Sequence, residues 1–125
     1  MENKNDNIRD FSYDFAIRII RLYQILVKDK KEYNLAKQLL RSGTSIGANV
    51  REAQNAESAA DFVHKLAISL KEANETEYWL CLLRDTDFLT EKEFNSIHDD
   101  IVSIIKMLTA IIKTKKRNLK KNNSK

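Results

Sequence analysis

The sequence predicts an all-α fold, an antiparallel up-and-down four-helix bundle. Three observations carry that prediction. Apolar residues recur at three- and four-residue spacing through four successive segments, and the β-branched residues follow the same spacing instead of alternating. Proline is absent and Gly43 and Gly47 are the only glycines, which leaves little material for hairpins or long loops. Three short polar stretches have the spacing of a capping box, an acceptor at the cap and an acid three residues later, and they divide the chain into four.

The first segment should be helical from about Asp10–Ser12 to Val27 or Lys28, after a polar, flexible stretch over residues 1–10. Phe15, Ile19, Leu22 and Leu26 make its core stripe, widened by Ala16, Ile20, Tyr23 and Val27. Arg18 and Arg21 fall on the other side, as a solvated face. Asp29-Lys-Lys-Glu32 should then turn the chain and start a second helix that runs to about Asn55. Its stripe is Leu35, Leu39, Ile46, Val50 and Ala53, with Ser42 or Gly43 filling the gap. Ser58-Ala-Ala-Asp61 should start the third helix, with Phe62, Leu66, Leu70, Ala73, Leu80 and Leu83 inside. Thr90-Glu-Lys-Glu93 is the best match to the S/T-x-x-E form and should start the fourth. Phe94, Ile97, Ile101, Ile104, Ile105, Leu108, Ile111 and Ile112 line that helix. The bundle therefore covers residues 11–113, and residues 114–125 read as a basic, disordered tail.

The two glycines are four residues apart and share a helix face. Either Ser42–Thr44 is a turn that cuts the second helix, or Gly43 and Gly47 form a smooth strip that another backbone approaches closely. Helical apolar spacing continues through the stretch, which favours the strip.

Composition narrows the function. The chain has 125 residues, enough for one domain with a modest core. No run of 18 apolar residues is present, so no span of a membrane is expected. The opening MENKNDNIRD has no apolar core of the signal-peptide kind. Cys81 is the only cysteine, which excludes an internal disulfide and fits a cytoplasmic setting. Placed among Leu80, Leu82 and Leu83, it reads as a small buried hydrophobe. Seven Lys or Arg and no acid lie between Lys113 and Lys125. The remaining 15 basic and 18 acidic residues leave a body of about −3, so the positive charge is concentrated at one end.

Chemistry is weakly represented. A di-iron bundle needs Glu-x-x-His on two helices and two further glutamates. Here His64 follows Asp61 and His98 follows Asn95 at that spacing, and asparagine is a poor iron ligand. No arginine precedes either histidine at the distance of a helical ribonuclease pair, and the glycines do not form a phosphate loop. Ser42, Thr44 and Ser45 lack a positioned base and suit close helix packing. No enzyme, metal or cofactor is expected.

The polar residues within the two central helices say more. With the turn near Glu57, antiparallel pairing sets Arg41 opposite Glu72–Glu75, and Glu52 near His64 and Lys65. These form either a solvated face or a charged network at a helix–helix or subunit interface, where arginine bonds paired carboxylates. Tyr78 and Trp79 are adjacent and cannot both enter one core, so one of them faces outward.

RSGTSIGANVREAQ and DFVHKLAISLKEANETEYWLCLL resemble the small four-helix-bundle proteins encoded by intervening sequences of large-subunit (23S) ribosomal RNA genes. The accessory variability determinants of diversity-generating retroelements are similar. The resemblance covers about residues 11–113. Arg41, Ser42, Ser45, Ile46, Asn49 and Glu52 match the second-helix motif, and Phe62, Leu66, Glu72, Thr76 and Trp79 the third-helix pattern. Ala53 stands where many relatives have glycine, which favours a continued helix. The resemblance implies a homopentameric barrel without catalytic activity, which binds nucleic acid through a basic surface and associates with a reverse transcriptase.

Two sets of candidate residues follow. Arg18, Arg21, Lys28, Lys30, Lys31, Lys37, Lys113, Lys115, Lys116, Arg117, Lys120 and Lys121 are candidates for RNA or DNA contacts. Arg41, Ser42, Gly43, Ser45, Gly47, Asn49, Glu52, Glu72, Glu75 and Trp79 are candidates for helix or subunit interfaces. A protein-interaction scaffold, with a tail that serves solubility, is the alternative.

Overall fold

The computed structural model describes residues 4–123, with side chains from Ile8 to Asn122. Four helices run up and down: α1 (Lys4–Lys28), α2 (Asn34–Gln54), α3 (Ala59–Asp85) and α4 (Glu91–Asn123). Among the described residues there is no strand. Each helix packs on the next, and α1 closes the bundle against α4. The expected stripes form one core, in which Phe15, Ile19, Leu26, Leu39, Ile46, Leu66, Leu80, Ile101 and Leu108 are fully buried. Ser12, Ser42, Ser69 and Thr76 are buried with them, and no buried side-chain N or O among the described residues lacks a hydrogen bond.

α1 begins earlier than its sequence predicts. Ile8 is buried one turn before Ser12 and Phe15, so the core stripe extends across the segment read as flexible. Residues 1–3 of that segment lie outside the described residues. α4 likewise continues past residue 113, through ten residues of the tail that reads as disordered. The stretch has no glycine or proline to stop it, Lys, Arg and Leu are good helix formers, and cations at a helix C-terminus favour its dipole. Leu119 packs against the core within this extension. Residues 124 and 125 lie outside the described residues.

Of the three capping boxes, one forms in full and a second in half. The Thr90 N–H donates to Glu93 Oε1 at 2.8 Å and the Glu93 N–H to Thr90 Oγ1 at 3.1 Å. Ser58 caps α3 by accepting from the Asp61 N–H at 3.0 Å, while Asp61 Oδ2 accepts from the Glu57 N–H at 3.3 Å instead of from Ser58. The third box, Asp29–Glu32, does not form. Lys31 takes a left-handed φ of 56°, and the Glu32 N–H reaches back to the Leu26 carbonyl at 2.9 Å. This ends α1 and delays the start of α2 to Asn34, where Glu32 Oε2 accepts from the Ala36 N–H at 2.8 Å. At the end of α3, Asp87 takes a φ of 70° and the Phe88 N–H bonds the Leu83 carbonyl at 2.8 Å, a Schellman closure.

Candidate nucleic-acid and subunit interfaces

The glycine strip lies inside unbroken α2, where it sets the spacing to α1. A Cβ on Gly43 would stand 2.8 Å from both Ile19 Cγ atoms. A Cβ on Gly47 would stand 3.3 Å from the Ser12 carbonyl oxygen. On the flank of α2 that faces α3, the hydroxyls of Ser42 and Thr76 share a hydrogen bond of 2.9 Å, and Ser69 donates to the Ile46 carbonyl at 2.8 Å. Ser42, Gly43 and Gly47 therefore lie where helices of the bundle meet.

Outside that seam, Arg41 bridges to Glu72 at 3.2 Å and Glu75 at 2.5 Å. The Trp79 indole N–H also donates to Glu75, at 3.3 Å. The hydrogen bond from Arg41 holds the Glu75 carboxyl below its ordinary range, and the bond to Glu75 raises the Arg41 guanidinium. Ser45 and Asn49 turn back onto their own helix, bonding the Arg41 and Ser45 carbonyls. Glu52 is exposed and makes no ion pair with His64 or Lys65. Tyr78 faces outward at 57% exposure, while Trp79 packs against the core with its ring edge-on to Tyr78.

The cationic candidates fall at opposite ends of the molecule, about 37 Å apart by the length of α1. Lys28, Lys30, Lys31 and Lys37 are exposed around the α1–α2 connection. Arg18 is not a solvated cation. It is held on α4 by Asp100 at 2.5 Å and by the Ser96 hydroxyl at 2.9 Å. Arg21, one turn on, is exposed, without an ion pair among the described residues. At the far end Lys113, Lys116, Arg117, Lys120 and Lys121 recur at three and four along α4, all exposed on one face. They cover about 12 Å of helix. Lys115 and Leu119 occupy the opposite face, and the Lys115 ammonium lies 5.3 Å from the centre of the Phe62 ring. No acid occurs in sequence after Asp100.

Other sequence candidates for chemistry resolve into packing. His98 Nε2 lies 2.8 Å from Glu77 Oε2 and its ring stacks on Phe94, which Arg84 covers from 4.1 Å. Burial pushes the Cys81 thiol up, away from the reactive thiolate. Among the described residues no three His, Cys, Asp or Glu side chains gather as a metal site. None of their helices is long and apolar enough to cross a membrane.

One surface is not apparent from the sequence. Tyr13, Ile17 and Ile20 are 57, 36 and 41% exposed along the outside of α1. Their 13–17–20 spacing marks a second apolar stripe, opposite the core stripe. Ile20 does not widen the core as its hydrophobicity suggests, because its angular position carries it outside.

Comparison with known proteins bears on the family and the fold. The family model of the 23S rRNA-intervening sequence protein matches residues 4–110. A crystal structure of a protein of unknown function from the S23 ribosomal protein family of Bacteroides thetaiotaomicron VPI-5482 is similar at 54% identity. The match covers 89% of this chain and 99% of that one, with a TM-score of 0.88. No curated protein matches.

Proposed function

Since the chain belongs to the 23S rRNA-intervening sequence protein family, we propose that it is a non-catalytic, homo-oligomeric protein that binds RNA or DNA through the cationic face of α4. The observation that carries this reading is the row Lys113, Lys116, Arg117, Lys120 and Lys121, five cations on one helix face with no acid after Asp100. Such a row neutralises phosphates and reads little sequence. Because α4 stays helical to Asn123, the charges are held in one line and not spread through a random coil. Assembly repeats the row in every copy, and linked weak contacts raise affinity. The family resemblance supplies five as the number of copies, its retroelement relatives supply a reverse transcriptase as companion, and the single cysteine favours the cytoplasm as setting.

The cations near Lys28–Lys37 are at the other end of the bundle and are secondary candidates. The protein-interaction scaffold is supported by a different feature, the exposed stripe on α1. A salt titration separates the two readings. Replacing the five cations of the row with glutamine preserves helix propensity and removes the charge. On duplex DNA the log–log slope changes by about 0.9 for each phosphate that is no longer neutralised. The substituted protein should bind more weakly with a flatter slope. Equal affinity and equal slope would remove this face from nucleic-acid binding, and no binding by either protein would leave the scaffold.

A further inference from the structure

We propose that the cleft between α1 and the start of α4 binds a small amphipathic anion, an apolar chain that ends in a carboxylate. This site is separate from the cationic row of α4, since Lys92 and Lys113 are about 32 Å apart along that helix. Arg18 marks one end of the cleft. It reaches from α1 to Asp100 and to the hydroxyl and carbonyl of Ser96, and so ties the two helices together. Toward the C-terminus of α1 the helices leave a hollow of about 410 Å³ between them. That volume is in the range of small-molecule sites, which often open between the helices of a bundle. Buried Leu89 and Ile97, half-buried Leu22 and Ile25, 45% exposed, supply its apolar lining.

The charges around this lining are unbalanced. Arg18 is matched by Asp100. Arg21 and Lys92 are exposed and have no ion-pair partner among the described residues. Glu93 is the one acid among the described residues of the lining, and its Oε1 already accepts from the Thr90 N–H. The Thr90 N–H and, more weakly, Lys30 hold that carboxyl below its ordinary range, so Lys30 is a third cation near the cleft. Charge complementarity therefore selects an anionic head, and the leucine and isoleucine lining selects an apolar body. Arg21 offers a carboxylate its planar fork from α1, and Lys92 offers a point charge from α4. Standing on different helices, the two cations flank one head group while the chain covers Ile25. No aromatic ring lines the cleft among the described residues, so a nucleic-acid base finds no stacking partner there.

The test is titration of the full, isotope-labelled chain with straight-chain alkanoates, followed by methyl NMR, with circular dichroism to confirm helicity. Decanoate should shift the methyl signals of Leu22, Ile25, Leu89 and Ile97 before other signals move. Affinity should rise about fourfold for each methylene added between hexanoate and decanoate, as each is buried in the cleft. Decylammonium has the same chain and the opposite charge, and should bind about tenfold more weakly than decanoate. Replacing Arg21 and Lys92 together with glutamine should weaken decanoate binding about tenfold. Ile25→Glu sets a carboxylate where the chain would lie and should abolish binding. All three residues are exposed, so these variants keep the core intact. Unmoved cleft methyls at millimolar decanoate would overturn the site. So would an affinity that ignores chain length or the sign of the head group. A response to a decapeptide of glutamate and leucine, with none to the alkanoates, would also overturn it and assign the cleft to a protein partner.

Discussion

Gly43 meets Ile19 through the two γ carbons of a β-branched, fully buried side chain, which cannot swing aside as a flexible tip would. Adding a methyl group there forces α1 away from α2. Gly43→Ala is therefore expected to cost about 1–3 kcal/mol through overpacking, despite alanine's better helix propensity. Gly47 faces a backbone carbonyl at a less severe 3.3 Å, so the helix-propensity gain offsets more of the contact cost and Gly47→Ala should be milder. Urea unfolding checks both, and stabilisation by Gly43→Ala would show that the helices separate freely. This close approach was legible because apolar spacing runs through both glycines without a break. The fate of Arg18 was not. Periodicity places a residue on a helix flank, but it cannot say whether the neighbouring helix presents Asp100 at that height. Arg41 was legible for the converse reason, since the position of one turn, near Glu57, set its register against Glu72 and Glu75.

At the scale of elements, the helix ends decide how the chain turns, and side chains that bond the backbone identify them. The box that starts α4 holds Glu93 ionised, since its carboxylate accepts from the Thr90 N–H and its folded-state pKa lies below the ordinary glutamate range. Its contribution is therefore complete above that range and is lost as the pH falls through the lowered value. Glu93→Gln keeps an acceptor for the same N–H but cannot titrate. The original chain should be the more stable near neutral pH, and the difference should shrink on acidification. Urea midpoints of both proteins between about pH 7 and pH 3 would measure this, and a constant difference would remove Glu93 ionisation from the account. The same pattern of residues misled at Asp29–Glu32. A capping box needs its first residue extended and the next three helical, and here the chain uses Lys31 in a left-handed conformation to close α1. Nothing about a lysine signals that conformation, which glycine or asparagine would have suggested.

For the whole molecule, the open question is where the bundle ends and the binding extension begins. Four amphipathic segments with short connections were enough to give the arrangement of the helices. Basic composition misled at the C-terminus, because Lys-rich sequence suits both a solvated coil and a helix that one apolar residue can dock. Leu119 is that residue, and Lys115 adds its packing on Phe62. The outer stripe on α1 was missed for a related reason, since a helix with two apolar stripes reads as one with a wide core face. The extension therefore divides at about Leu119. Deleting residues 120–125 removes none of the described side chains that pack on the core and should lower the urea midpoint little. Deleting residues 114–125 strips Leu119 and Lys115 from the bundle and should cost about 1–2 kcal/mol, near the low end for burying a leucine side chain. Both deletions remove part of the cationic row, Lys120 and Lys121 in the shorter and all but Lys113 in the longer. Nucleic-acid affinity should therefore fall in two steps, while stability falls chiefly in the second. Equal stability of the two truncated chains would mean that α4 beyond Ile112 is held by nothing but its own hydrogen bonds. The extension would then be a helical arm independent of the core, and its charged face would no longer have an orientation fixed by the bundle.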